Sequence, residues 1–210
     1  MGKGERPLRV AAIPGGDLGA MCYLVEEGEG AVLIDPSATP SEVRRAYGAP
    51  LPKISAILLT HGHFDHILSV DEWREQTGAP VMIGKGDEGF LTDAGKNGFR
   101  FFFGMEVTYR PADRILEAGR IEGLPMDVAV IPTPGHTVGS VCYKIGGALF
   151  TGDTLFAHGG VGRTDLWGGS DEALTSSLRL LLGGEDLPIY PGHGGASTLA
   201  RERRYHQFLL

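Results

Sequence analysis

Short apolar runs closed by glycine or proline recur along the chain, and most are too continuous for a strand with one wet face. LRVAAI, MCYLVEE, GAVLIDP, ISAILLT, PVMIG, MDVAVIPTPG, SVCYKIGG, ALFTGDT and LPIYPG each read as β-strands, several of them buried on both faces. Helical patterning falls between them. In TPSEVRRAYG, Thr39 is set to cap a helix whose first position is Pro40, Glu42 completes a capping box, and Gly48 stops it. Further helices are expected over about 66–78, 170–182 and 197–209. The glycine-rich stretch 84–114 reads as a helix followed by a long surface loop; its Phe99 to Phe103 aromatic patch either caps a pocket or buries itself against the sheet, and core packing is the preferred reading. No repeat of fixed period stands out, although the early hairpin-rich run and the later IPTPGH to GDT run could form two similar halves. The pattern is that of an α/β protein with mixed sheets covered by helices.

Composition narrows the picture. With 210 residues and 42% apolar content, one globular domain spanning 1–210 is expected. The opening MGKGERPLRVAAIPGG holds too short an apolar run for a signal peptide, and no stretch approaches membrane-spanning length, so no membrane partner is expected. A formal charge of −7 argues against nucleic acid as a partner. Cys22 and Cys142 each sit inside a strand-like segment without CxxC spacing, which suits buried thiols in a cytoplasmic protein.

The chemistry concentrates in THGHFDH, residues 60–66. His61 and His63, two apart, can project the same way from an extended segment, whereas the adjacent Asp65 and His66 point apart unless the chain turns. That arrangement suits two metals better than one. A closed structural site would be richer in cysteine, and this cluster holds only His and Asp. His136 in TPGHTVGS, Asp153 in FTGDTLF and His193 in YPGHGG each directly follow an apolar run. Ligands carried at the C-terminal ends of several strands converge on one sheet edge, and together these seven suffice for two metals sharing one carboxylate.

In combination, THGHFDH, PTPGHTVGS, TGDTLF and GRTDLWGGS make the chain from Met21 to Gly195 resemble the metallo-β-lactamase-fold hydrolases, and among them the short glyoxalase II-like, hydroxyacylglutathione hydrolase-like proteins. The resemblance implies an αββα sandwich of two mixed sheets flanked by helices. It implies that His61, His63 and His136 hold one metal, that Asp65, His66 and His193 hold the other, and that Asp153 bridges them. Zinc is the leading candidate, with iron or manganese as alternatives, since His and Asp ligands suit all three. Asp65 and Asp153 become the catalytic carboxylates of an acyl-thiolester hydrolase, acting on a small molecule such as S-lactoylglutathione through water ionised at the metals. Asp35 in LIDP is read either as a residue that orients a ligand histidine or as a strand-end turn residue.

Arg163 falls where the family places a basic residue for the glutathione carboxylate; the competing reading is an ion pair with Asp165 or Asp171, or a subunit contact. The helical C-terminal domain of full-length glyoxalase II is not expected within 210 residues, which leaves the identity of the thiol open. His158 is expected on a loop surface and His206 facing solvent, and either a monomer or a homodimer is compatible with the sequence. True β-lactamases are set aside because they lack a carboxylate at the position of Asp153. Two alternatives stand beside the hydrolase: a mononuclear iron persulfide dioxygenase with the same ligand residues, and a non-catalytic metal-binding module.

Overall fold

The computed structural model describes residues 8–209; Met1 to Pro7, part of the opening segment weighed against a signal peptide, lie outside them. The first sheet runs in chain order through β1 (Arg9–Gly15), β2 (Ala20–Glu27), β3 (Gly30–Ile34), β4 (Ala56–Leu59), β5 (Val81–Gly84) and β6 (Arg114–Leu116). The second runs through β7 (Gly119–Arg120), β8 (Val128–Pro132), β9 (Val141–Ile145), β10 (Ala148–Gly152), β11 (Pro188–Pro191) and β12 (Ser197–Thr198), again in chain order. β1 to β3 are antiparallel, and β3 to β6 are parallel. β7 to β10 are antiparallel, β11 is parallel to β10, and β12 closes the edge antiparallel. The expected mixed sheets, divided into two halves, are thus observed.

Why the runs are continuously apolar follows from the layers. Alternate residues of a strand point to opposite faces. In β3, Val32 and Ile34 enter a core shared with Val128, Val130, Tyr143 and Phe150 of the second sheet. Ala31 and Leu33 face the other way, against Val43 of α1 (Pro40–Tyr47) and Val70 and Trp73. The second sheet turns Cys142, Leu149 and Ile189 toward Leu174, Leu178 and Leu181. Both cysteines are free and buried, as expected. The result is an αββα sandwich with three buried interfaces.

The capping box of α1 forms as read, with Glu42 N donating to Thr39 Oγ1 at 3.3 Å and Thr39 N donating to Glu42 Oε2 at 2.8 Å. The helix expected over 66–78 is broken into α2 (Phe64–Ile67) and α3 (Val70–Thr77), where the Ser69 amide leaves the helix to donate to Pro36 O. In the 84–114 stretch, turns precede the one short helix, α4 (Phe99–Phe103), and the long loop follows it. Of the aromatic patch only Phe99 is buried; Phe101, Phe102 and Phe103 are 68%, 41% and 49% exposed, which corrects the core-packing expectation. α5 (Asp171–Leu182) agrees with the pattern, with Ser170 as its cap. The last expected helix shrinks to α6 (Leu199–Arg203) and a short 3-10 turn at Gln207–Leu209. His206, expected in solvent, is buried there. No helix among the described residues is long and apolar enough to cross a membrane.

Candidate metal centre

β4, β8, β10 and β11 end at the same edge, because β8, β10 and β11 run one way and β4 is stitched to them across the sheets. The stitching is explicit: Val141 N donates to Thr60 O at 2.8 Å and Met21 N to Gly192 O at 2.8 Å. Tyr143 and Tyr23 hydroxyls donate to Leu59 O and Pro191 O at 2.7 and 2.6 Å. The segments that follow these strands carry all seven residues singled out in the sequence, and the fold brings them together in three overlapping groups. These are His61, His63 and His136; His61, His66 and Asp153; and Asp65, His66 and His193, the ligand atoms of each group lying within 4.8 Å of one another. Asp65 and His66, adjacent in sequence, reach one group because the chain turns into α2 there.

The outer nitrogen of several rings is tied down so that the inner one faces the centre. His66 Nδ1 donates to Asp35 Oδ2 at 2.9 Å, and His136 Nδ1 donates to the Arg163 carbonyl at 2.6 Å. Thr60 gives its one hydroxyl hydrogen to Asp35 Oδ2 at 2.7 Å, so at 3.1 Å it accepts from His61 Nδ1. Each arrangement leaves an Nε2 lone pair pointing inward. Asp35 also accepts from Thr60 N at 2.7 Å and is held with φ of 49°, a left-handed conformation that Asp tolerates better than most residues. The orienting role weighed for Asp35 is what the geometry shows.

The inner atoms lack ordinary partners. His63 Nδ1 lies 2.8 Å from His136 Nε2, which lies 3.2 Å from His61 Nε2, so three ring nitrogens meet where protons cannot satisfy them all. His66 Nε2 and Asp153 Oδ1 are buried without an aligned hydrogen bond, although they stand 3.2 Å apart. Unsatisfied buried polar atoms are costly in a native fold, and a set of His nitrogens and carboxylate oxygens converging this way fits divalent cations. Asp153 also stands 3.6 Å from His136 Nε2 and 3.5 Å from His193 Nε2, between the outer groups. A Cβ on Gly192 would run into Asp153 Oδ1 and the His66 ring, so only glycine lets these two approach.

Electrostatics divides the cluster. Burial holds His61, His63 and His136 below the usual imidazole range, with His63 at about 3. At His66 burial acts the same way but is outweighed by the charges of Asp153, Asp65 and Asp35, and at His193 by a hydrogen bond to Asp65, so both are raised. Asp153 and Asp65 stay ionised: burial would raise them, and the neighbouring histidines lower them.

Sequence reasoning missed Asp87. Its buried carboxylate accepts from Gly62 N at 3.0 Å, Gly139 N at 2.8 Å and Thr137 Oγ1 at 2.7 Å, clamping the His61 to His63 segment to the loop that carries His136. Arg163 lies at the rim of the cavity over the centre, its guanidinium bonded through Nε and Nη2 to Asp165 at 2.6 and 2.7 Å. His158 is exposed, as expected.

A four-layer αββα sandwich with His and Asp side chains converging at one edge defines a class, that of the metallo-hydrolases. The chain belongs to the metallo-beta-lactamase superfamily, whose family model matches residues 15–193. It is 36% identical over 202 residues to the probable metallo-hydrolase YqgX of Bacillus subtilis (strain 168), covering 94% of this chain and 95% of that one. Against the hydroxyacylglutathione hydrolase GloC of Haemophilus influenzae it is 30% identical over 198 residues, covering 90% and 92%. Among solved structures, the BLEG-1 B3 metallo-beta-lactamase superposes with a TM-score of 0.88 at 32% identity, covering 96% of this chain and 99% of that one. The di-iron-bound form of TTHA1623 does so at 0.81 and 35%, covering 95% and 100%.

Proposed function

We propose that the chain is a two-metal hydrolase of acyl thiolesters. The observation that carries this reading is the convergence of seven buried or half-buried ligand residues, with the outer nitrogens of His61, His66 and His136 tied down and the inner His66 Nε2 and Asp153 Oδ1 buried without a hydrogen-bond partner. In this reading His61, His63 and His136 hold one cation, Asp65, His66 and His193 the other, and Asp153 serves both. Bound there, divalent cations would bring the pKa of water from 15.7 toward roughly 7 and polarise a carbonyl. Asp65, ionised and facing the cavity, accepts a hydrogen bond from the attacking water and orients it. The water oxygen joins the acyl carbon, the carbon–sulfur bond breaks, and the thiol leaves. A thiolate needs little protonation, which agrees with a cavity that offers no further general acid among the described residues. The likeness to GloC supports the thiolester, and the likeness to the di-iron form of TTHA1623 keeps iron beside zinc as the resident metal.

A β-lactam is a second reading: the carboxylate of Asp153 speaks against it, and the likeness to BLEG-1 favours it, because both substrates ask the same centre for acyl transfer to water. Metal analysis of the protein purified without added metal, followed by assay of S-lactoylglutathione, simple acyl thiolesters, a penicillin and glutathione persulfide, separates the readings. Two equivalents of metal and thiolester cleavage without oxygen uptake are expected. Lactam cleavage alone would move the assignment to the second reading. One iron with oxygen uptake on the persulfide would overturn hydrolysis.

A further inference from the structure

The cavity over the ligand cluster holds about 260 Å³. Beyond the ligand residues its wall is Phe64, Phe102, Phe156, Leu166, Gly162 and a single polar side chain, Arg163. The apolar members stand next to the reacting centre. Phe64 lies between His63 and Asp65 in the chain, its ring 5.3 Å from that of Phe102, and the Phe156 ring meets His193 at 5.8 Å. A group attached directly to the scissile carbonyl would therefore touch aromatic carbon. Phe102 leaves 41% of its surface exposed at this mouth, in a helix whose neighbouring Phe101 and Phe103 are exposed as well.

The polar side of the wall is already occupied. The Arg163 guanidinium is matched by Asp165 through paired hydrogen bonds at 2.6 and 2.7 Å and sits 5.8 Å over the Phe102 ring. Glutathione brings two carboxylates and an ammonium, and a substrate carboxylate at Arg163 would have to compete with Asp165. A wall without free hydrogen-bonding side chains rejects polar substituents through their desolvation and rewards apolar ones through burial.

Resting on the thiolester reading, we infer that this chain takes thiolesters with an aromatic or branched apolar acyl group, seated on Phe64, Phe102, Phe156 and Leu166, and does not select glutathione as the thiol. The test crosses two acyl groups, acetyl and phenylacetyl, with two thiols, neutral N-acetylcysteamine and glutathione, on the metal-loaded enzyme. Phenylacetyl is expected to exceed acetyl in kcat/KM by about tenfold or more on both thiols, the scale of filling an apolar pocket. The two thiols are expected to differ by less than about threefold. Calorimetric binding of uncleavable ketone analogues, with a methylene between carbonyl and sulfur, is expected to show the same acyl preference. Phe102→Ala and Leu166→Ala should each cut that preference to about threefold or less with metal content unchanged, and Phe102→Leu should restore part of it. Equal rates for the two acyl groups, or tenfold selection of glutathione esters, would overturn the inference. If no thiolester is cleaved, the hydrolase reading fails separately and the analogues decide: phenyl-selective binding sustains the apolar site, and its absence overturns it.

Discussion

The two halves of the candidate centre differ in burial and in charge. His61, His63 and His136 form a nest with no carboxylate of its own, all three buried, and burial keeps them neutral. Asp65, His66 and His193 form a nest at the cavity mouth, where the His193 side chain is 31% exposed and neighbouring carboxylates raise both imidazoles above their usual range. Burial favours in the first nest the neutral imidazoles that a cation needs, while the raised pair makes cation binding in the second more dependent on pH. In the proposed hydrolase the first would be a preorganised anchor, and the second, open to the cavity and bearing Asp65, would be the half that meets substrate and water. Asp153 belongs to both.

The comparison breaks most completely at that shared residue. Asp153→Ala removes the charge facing both nests, and hydrolysis is expected to fall by about 10³-fold or more with at least one metal equivalent lost. Elemental analysis showing two equivalents retained would refute the sharing. His193→Ala, which touches only the outer nest, should keep about one equivalent on the histidine anchor and lose about 10²-fold in rate. If metal leaves both nests together, they are one site and the contrast drawn above is wrong.

A smaller effect sharpens the role of the outer nitrogens. Asp35→Asn removes the acceptor that fixes His66 and, through Thr60, His61. Metal affinity measured by competition with a chelator is expected to weaken about 10- to 100-fold, the usual cost of losing such a partner. Unchanged affinity would reduce Asp35 to a turn residue.

How much of this was legible differs between the same regions. The α/β class and the nine longer strands could be read because continuous apolar runs mark strands buried on both faces, whereas the αββα sandwich came from the resemblance carried by the motifs. The candidate ligand residues could be picked out because their segments each follow such a run. The three short strands could not: Arg114–Leu116, Gly119–Arg120 and Ser197–Thr198 are too brief to show a period. The break at Ser69 is set by a tertiary hydrogen bond to Pro36, which no local pattern carries. For Phe101 to Phe103 core packing was preferred over a place at the pocket because aromatic side chains are mostly buried, and the fold exposes all three and sets Phe102 in the cavity wall. Asp87 stayed hidden in the turn-rich GKGDEG, since its partners lie 25 to 52 residues away.

Asp87 supplies the smallest and most specific expectation, because it braces the histidine nest without belonging to it. Burial raises its carboxyl from 3.8 to about 6, despite hydrogen bonds from Thr137, Gly139 and Gly62 that work to lower it. Between pH 4 and 6 the folded protein therefore holds a proton at this position that the unfolded chain has released, so this group adds stability as pH falls and loses it as pH rises through about 6. Asp87→Asn has no such titration, and the other ionisable groups are common to both proteins and cancel in the difference. Urea unfolding at pH 4.5 and 7.5 should show the wild type gaining about 2 kcal/mol on the variant at the lower pH, most of the worth of a shift of about two units. A gap independent of pH would mean that Asp87 carries its charge at no cost, with its three donors offsetting burial in full.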